Sequence, residues 1–131
     1  MTVWLRWLGI IPAAVAGWFL AFFIGHRVLG IVDSLCPPEE IVSGDCVAPW
    51  YPLASQITIC FGVGLSAVLV VAFATLVAPS HRQVVAWVSY GLGASVALAM
   101  SGFASPGMIP ELLSALGGGL LAALVAHRLA R

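Results

Sequence analysis

The chain has 131 residues, of which 62% are apolar and only 8% are charged, and its formal net charge is zero. Soluble domains are typically about 45 to 50% apolar and about 25% charged, so this composition is not that of a soluble fold. The absence of a net positive charge gives no indication of nucleic-acid binding. We therefore expect a membrane-embedded protein without a nucleic-acid partner.

Four apolar stretches are each long enough to cross a bilayer as a helix, which takes roughly 20 residues. They run approximately from Trp4 to Gly25, Leu53 to Val77, Val84 to Gly102 and Ile109 to Ala126. Prolines, glycines and charged residues separate them, as is typical of loops. The sequence predicts an all-α membrane protein: one domain over residues 1–131, with four transmembrane helices in an antiparallel bundle.

The first apolar stretch does not end cleanly at Gly25. His26 and Arg27 are followed by five further apolar residues, 28–32. A single helix over the whole run would exceed the thickness of an untilted span. We expect the helix to leave the bilayer near His26, with Arg27 extending to the outer headgroups and residues 28–32 packed on the following loop.

The arginines predict the orientation of the chain in the membrane. Arg6, Arg82, Arg128 and Arg131 lie beside span ends on one side, and Arg27 lies on the other. Positive residues accumulate on the cytoplasmic side of short loops. We therefore expect a multi-pass protein of the plasma membrane, in a bacterium the inner membrane, with both termini in the cytoplasm.

The loop between the first two spans, about residues 33–52, contains two of the three cysteines, Cys36 and Cys46. This topology places the loop outside the cytoplasm, where paired cysteines usually form disulfides. A redox-active pair would have the closer C-x-x-C spacing, and a metal site would lack histidine in this loop. We predict a structural disulfide that pins the loop as a cap, with the acidic residues Glu39, Glu40 and Asp45 facing a partner.

Groups that could catalyse a reaction or hold a cofactor are sparse. No ionisable residue falls near the middle of a predicted span, which disfavours ion-coupled transport. His81 and His127 lie on the same predicted side and could in principle ligate haem, but they flank the loops, where interfacial anchoring is the simpler interpretation. We predict no cofactor, no metal and no catalytic residues.

Small residues recur at four-residue spacing in three of the spans. Such stripes allow the close backbone contact that drives helix association in lipid. We predict that they are helix-packing positions, either within the chain or with at least one stripe facing a partner. The predicted positions are Gly9, Ala13, Gly17, Ala21 and Gly25 in the first span, Ser89, Gly93, Ala97 and Ser101 in the third, and Ser114, Gly118 and Ala122 in the fourth.

Three consecutive glycines, Gly117 to Gly119, interrupt the fourth span at a cost of about 1 kcal/mol each relative to alanine in a helix. Close helix contact, a hinge or space for a lipid or cofactor tail would each explain them.

These features favour a non-catalytic accessory or structural subunit that packs with membrane lipids and with other membrane proteins or copies of itself. A small oligomeric channel or facilitator for a neutral or lipid-like substrate, with Gly117 to Gly119 at its constriction, is the alternative. A third possibility is an enzyme acting on lipid or quinone, which would require His26, Arg27 and the loop acids to converge.

Overall fold

A computed structural model of the chain describes residues 7–103 and 108–129, with side chains for 7–100 and 108–129. Four helices account for most of these residues, and each is long and apolar enough to cross a membrane. They are α1 (Ile10–Ser34), α2 (Tyr51–Val77), α3 (Arg82–Phe103) and α4 (Ile109–Leu129). The predicted all-helical class is thereby confirmed, with four helices of the length and apolarity that a membrane span requires, and the chain has the character of a multi-pass membrane protein.

Helix α1 extends further toward the loop than the predicted span. It continues through residues 28–32 to Ser34, and Leu35 is its C-cap. No proline or glycine pair interrupts this stretch, and the helix ends shortly before Pro37, where the residue preceding a proline is disfavoured in the helical region. At about 1.5 Å per residue the helix is roughly 37 Å long, longer than the ~30 Å hydrocarbon core. The predicted start at Trp4 lies outside the described residues.

The loop after α1 forms a small hairpin. A short 3-10 helix, Pro38–Glu40, leads into the strands β1 (Ile41–Val42) and β2 (Asp45–Cys46), which pair antiparallel. Ser43 and Gly44, the two residues between the strands, both have positive φ, 55° and 92°. Positive φ at both central residues is the requirement of a type I′ hairpin turn, which glycine meets without steric cost.

Helix α2 is the central element of the fold, since it packs against each of the other three helices. The buried core is built from small side chains: Ala21, Ala74, Ala78, Ala86 and Ala123 are all fully buried. Within the described residues none of the larger side chains is fully buried, and many of them are exposed. This distribution is expected in lipid, where large apolar side chains lose nothing by facing outward and small ones let backbones approach.

Two pairs of glycines mark the closest helix contacts. A Cβ built on Gly25 of α1 would lie 3.3 Å from the Cα of Gly62 in α2, so the two backbones nearly touch. A Cβ built on Gly118 of α4 would lie 2.5 Å from the carbonyl oxygen of Gly64, also in α2. Of the interpretations of the glycine triplet, close helix contact is therefore the one that the structure supports for Gly118.

The glycine triplet offers a matched test of this contact. Gly118→Ala should destabilise the protein by about 1 to 3 kcal/mol, because the added methyl group meets backbone atoms of α2 that cannot rotate away. Gly117→Ala should be neutral or stabilising by up to about 1 kcal/mol, because nothing lies within 4 Å of its added Cβ and alanine favours helix. Unfolding by a denaturing detergent, followed by circular dichroism, measures both. Equal effects of the two substitutions would contradict the contact.

Candidate functional site

The small-residue stripe of α1 lies against α2. Gly17 and Ala21 are buried, and a Cβ on Gly17 would lie 2.7 Å from the carbonyl oxygen of Leu69. Gly9 precedes the helix as its N-cap, and Ala13 is half-buried. This stripe is therefore used within the chain.

The stripe of α4 is also used within the chain. Ser114 donates a hydrogen bond from its hydroxyl to the backbone carbonyl of Cys60 in α2. Gly118 meets Gly64, and Ala122 packs against the buried cluster that includes Ala123. The α2–α4 contact thus combines close backbone approach with an interhelical hydrogen bond.

The stripe of α3 differs from the other two because it faces open space. No atom of the described residues lies within 4 Å of a Cβ built on Gly93, which is exposed. Ser89 and Ala97, one turn before and after it, are half-buried, and all three line a groove of about 510 Å³. The side chain of Ser101, the last predicted member of the stripe, lies outside the described residues.

The groove runs between α1 and α3, with α2 as its floor. Ile11, Val15 and Trp18 form the α1 wall, and Leu92 and Val96 belong to the α3 wall. All five side chains are exposed, so the groove opens to the surroundings of the protein. At one end of the groove, α1 contacts the rest of the bundle. There, Ile10 and Ala14 pack against the buried cluster of Ala74, Ala78 and Val85.

A polar contact joins α2 and α4 near the ends that face the hairpin loop. The side-chain amide of Gln56 donates a hydrogen bond of 2.7 Å to Oε1 of Glu111. The same amide lies 3.7 Å from Sγ of Cys60. The second carboxyl oxygen of Glu111, Oε2, is buried and has no hydrogen-bond partner among the residues that the structure describes. A carboxyl group so placed depends on Gln56 for its stabilisation.

The hairpin loop forms a compact cap. The Sγ atoms of Cys36 and Cys46 lie 2.01 Å apart, at the disulfide distance that the sequence predicts. The hydroxyl of Tyr51, at the start of α2, donates a hydrogen bond of 2.6 Å to Asp33 near the end of α1. This bond joins the ends of the two helices between which the cap lies.

The acidic residues of the cap are distributed around its surface. Glu39 and Asp45 are exposed, whereas Glu40 is half-buried and its backbone carbonyl accepts a hydrogen bond from the amide of Val47. Their assignment as partner-facing groups stays a prediction.

His26 and His127 lie at different ends of the helices and have different surroundings. His26 stacks on Phe22 in α1, with ring centroids 6.1 Å apart, while Gln83 donates a hydrogen bond of 3.5 Å to the backbone carbonyl of His127 at the far end of α4. Among residues 7–103 and 108–129, no group of three histidine, cysteine or acidic side chains is placed to hold a metal ion.

Sequence reasoning missed the part played by α2. Gly62 and Gly64 are two residues apart, so they lie on nearly opposite sides of the helix, and each can receive a different neighbour. The two-residue spacing of these glycines was the feature of the sequence from which their contacts with two different helices could have been predicted. The partnership of Gln56 with Glu111 was also missed, although both lie within about two turns of the predicted outer ends of their helices.

Comparisons of the chain with protein-family models, with curated proteins and with solved structures found no match.

The polar contact between α2 and α4 can be tested by a double-mutant cycle. Gln56→Leu should destabilise the protein by about 1 to 2 kcal/mol, because it leaves the carboxyl group of Glu111 without its donor. The double variant Gln56→Leu/Glu111→Leu should recover most of that loss, since both polar groups are removed together. Detergent-induced unfolding provides the measurement. If the double variant lost as much stability as the single variants Gln56→Leu and Glu111→Leu lose in total, the two groups would not be coupled.

Removal of the cap disulfide should loosen the hairpin. The variant Cys36→Ser/Cys46→Ser loses roughly 3 kcal/mol of constraint on the unfolded loop, by the chain-entropy estimate. Hydrogen exchange of the Val47 amide, which bonds across the hairpin, should accelerate strongly. Cys60→Ser is the control and should leave that exchange unchanged. Free thiols at both positions in protein isolated without reductant would contradict the cap as described.

Proposed function

We propose that this chain is a non-catalytic membrane subunit that binds a transmembrane helix of another membrane protein, or of a second copy of itself, in the groove between α1 and α3. The observation that carries the proposal is the unequal use of the small-residue stripes. Those of α1 and α4 are occupied by α2, whereas the stripe of Ser89, Gly93 and Ala97 lines an open groove.

Lipid chains are as apolar as leucine, so an apolar surface alone gives no drive for helix association in a bilayer. Association instead comes from close packing, which needs small residues on at least one surface. The α3 wall meets that requirement at Gly93, and the exposed rings and branched side chains of the α1 wall, such as Trp18 and Val15, supply contact area.

The proposed arrangement in the membrane is an antiparallel four-helix bundle with both termini in the cytoplasm of the plasma membrane, in a bacterium the inner membrane. The cysteine pair supports an outer position for the cap, because disulfides persist in oxidising compartments. In this arrangement the exposed carboxylates of Glu39 and Asp45 face the extracytoplasmic part of a partner.

The alternatives find less support in the geometry. A channel would need the glycine triplet at a constriction, but Gly118 lies against Gly64, and a Cβ on Gly119 would lie 2.8 Å from the ring of Tyr90. An enzyme acting on lipid or quinone would need the loop acids beside His26 and Arg27, but Asp33 accepts the hydrogen bond of Tyr51.

Substitutions on α3 test the proposal. Gly93→Leu fills the groove and should weaken assembly about tenfold or more in dissociation constant, which is about 1.4 kcal/mol. Gly91→Leu is the matched control: Gly91 is exposed on the same helix, has nothing within 4 Å of an added Cβ and does not line the groove. Native mass spectrometry in mild detergent measures the populations of assemblies and monomer.

Gly17→Leu serves a different purpose, because its side chain would meet the α2 backbone and should destabilise the chain itself. The proposal would be contradicted if the unmodified protein were a stable monomer, or if Gly91→Leu and Gly93→Leu weakened assembly equally.

A further inference from the structure

A second cleft, of about 250 Å³, lies between α1 and α2 nearer the cap. It continues the groove described above and shares with it the wall residues Trp18, Val63 and Ser66. Its α1 side is an aromatic series: the ring of Trp18 stacks on Phe22 at 6.0 Å, and Phe22 stacks on His26 at 6.1 Å. The cleft is therefore apolar along its length and ends at an imidazole.

His26 also lines a neighbouring hollow on the surface of α1, whose lining is part polar and part apolar. Arg27 and Ser34 belong to its lining, together with Phe23, over whose ring the Arg27 guanidinium lies at 4.8 Å from the centroid. Arg27 and His26 are both exposed, and in the described part of the chain the structure records no ion pair for either. The hollow thus presents the cationic guanidinium of Arg27, which no carboxylate of the described residues neutralises.

The depth of Arg27 matches that of a lipid headgroup. Arg27 lies about 26 Å along the helix axis from Ile10, at about 1.5 Å per residue. The hydrocarbon core of a bilayer is about 30 Å thick, so a helix that enters near Ile10 brings Arg27 to the opposite boundary. The long side chain of arginine reaches readily from such a position to the phosphate layer.

We propose that this end of α1 binds an anionic phospholipid, with the phosphate held by Arg27 and His26 and one acyl chain lying in the cleft between α1 and α2. The charge of the hollow selects the headgroup: guanidinium groups bind phosphate through paired, charge-assisted hydrogen bonds. The ammonium group of a zwitterionic lipid would find no carboxylate in the hollow lining. The aromatic series leads inward from His26 and provides a continuous apolar wall for the acyl chain of the lipid.

The headgroup contact is tested by native mass spectrometry of the full chain, titrated with phosphatidylglycerol or with phosphatidylcholine of the same acyl chains. Arg27→Gln should raise the apparent dissociation constant for phosphatidylglycerol about fivefold, the effect of one basic residue at a membrane surface. The constant for phosphatidylcholine should rise less, because its ammonium group offsets the charge of its phosphate. Arg82→Gln is the matched control, since it removes one exposed arginine at the other end of the helices. Equal losses in the two variants, or no loss in Arg27→Gln, would overturn the assignment.

The acyl-chain contact is tested separately. Ile59 lines the cleft and is 42% exposed, so Ile59→Trp should fill the cleft without disturbing buried contacts and should lower phosphatidylglycerol binding several-fold. Ile57→Trp, at a neighbouring exposed position outside the cleft, should not. Glycerol phosphate, which has the headgroup charge but no chain, should fail to displace the lipid. Displacement of the lipid by glycerol phosphate, or equal phosphatidylglycerol binding by the two tryptophan variants, would overturn the placement of the acyl chain in the cleft.

This lipid site does not depend on the proposed partner helix. The titration is therefore repeated in the Gly93→Leu background. If the Gly93→Leu monomer keeps an Arg27-dependent preference for phosphatidylglycerol, the lipid site is independent of the partner helix. Loss of that preference in the monomer would contradict an independent site.

Discussion

The close backbone contact of α2 with two neighbours is the interaction on which the rest of this structure depends. Gly62 receives Gly25 of α1 on one side, and Gly64 receives Gly118 of α4 on the other. In lipid, apolar side chains gain nothing by leaving their surroundings, so helices are held by contact between atoms and by interhelical hydrogen bonds. The core can therefore consist of alanine and glycine while the large apolar side chains face outward.

The same contacts leave a space that residues 7–103 and 108–129 do not fill. Helices α1 and α4 pack closely against different sides of α2, and α3 packs beside α4. α1 and α3 consequently diverge across the floor of α2, and the groove between them stays open along Gly93. A partner helix in that groove would complete the packing that the chain leaves unfinished, and a phospholipid at Arg27 would occupy the narrower continuation toward the cap.

The number of helices and the cysteine pair were predictable because both follow from one-dimensional patterns. A bilayer demands about 20 apolar residues per span, and the loop concentrates its cysteines at a spacing that a hairpin can close. The end of α1 at Ser34 was harder to predict, since no residue breaks the helix at the membrane boundary. The pairing of Gln56 with Glu111 was not predictable, because it depends on how each helix is rotated about its axis, and uniformly apolar spans carry little information about rotation.

We propose that the face of α3 along Gly93 is a contact surface for another protein segment. A cross-linking scan in native membranes can detect this contact, with single cysteines carrying a photoreactive group at positions 89–97 of a Cys60→Ser chain. We expect protein adducts with helical periodicity, strong from groove positions such as Val96 and absent from Ser95, which lies outside the groove. Adducts that are absent throughout, or equal at all positions, would contradict it.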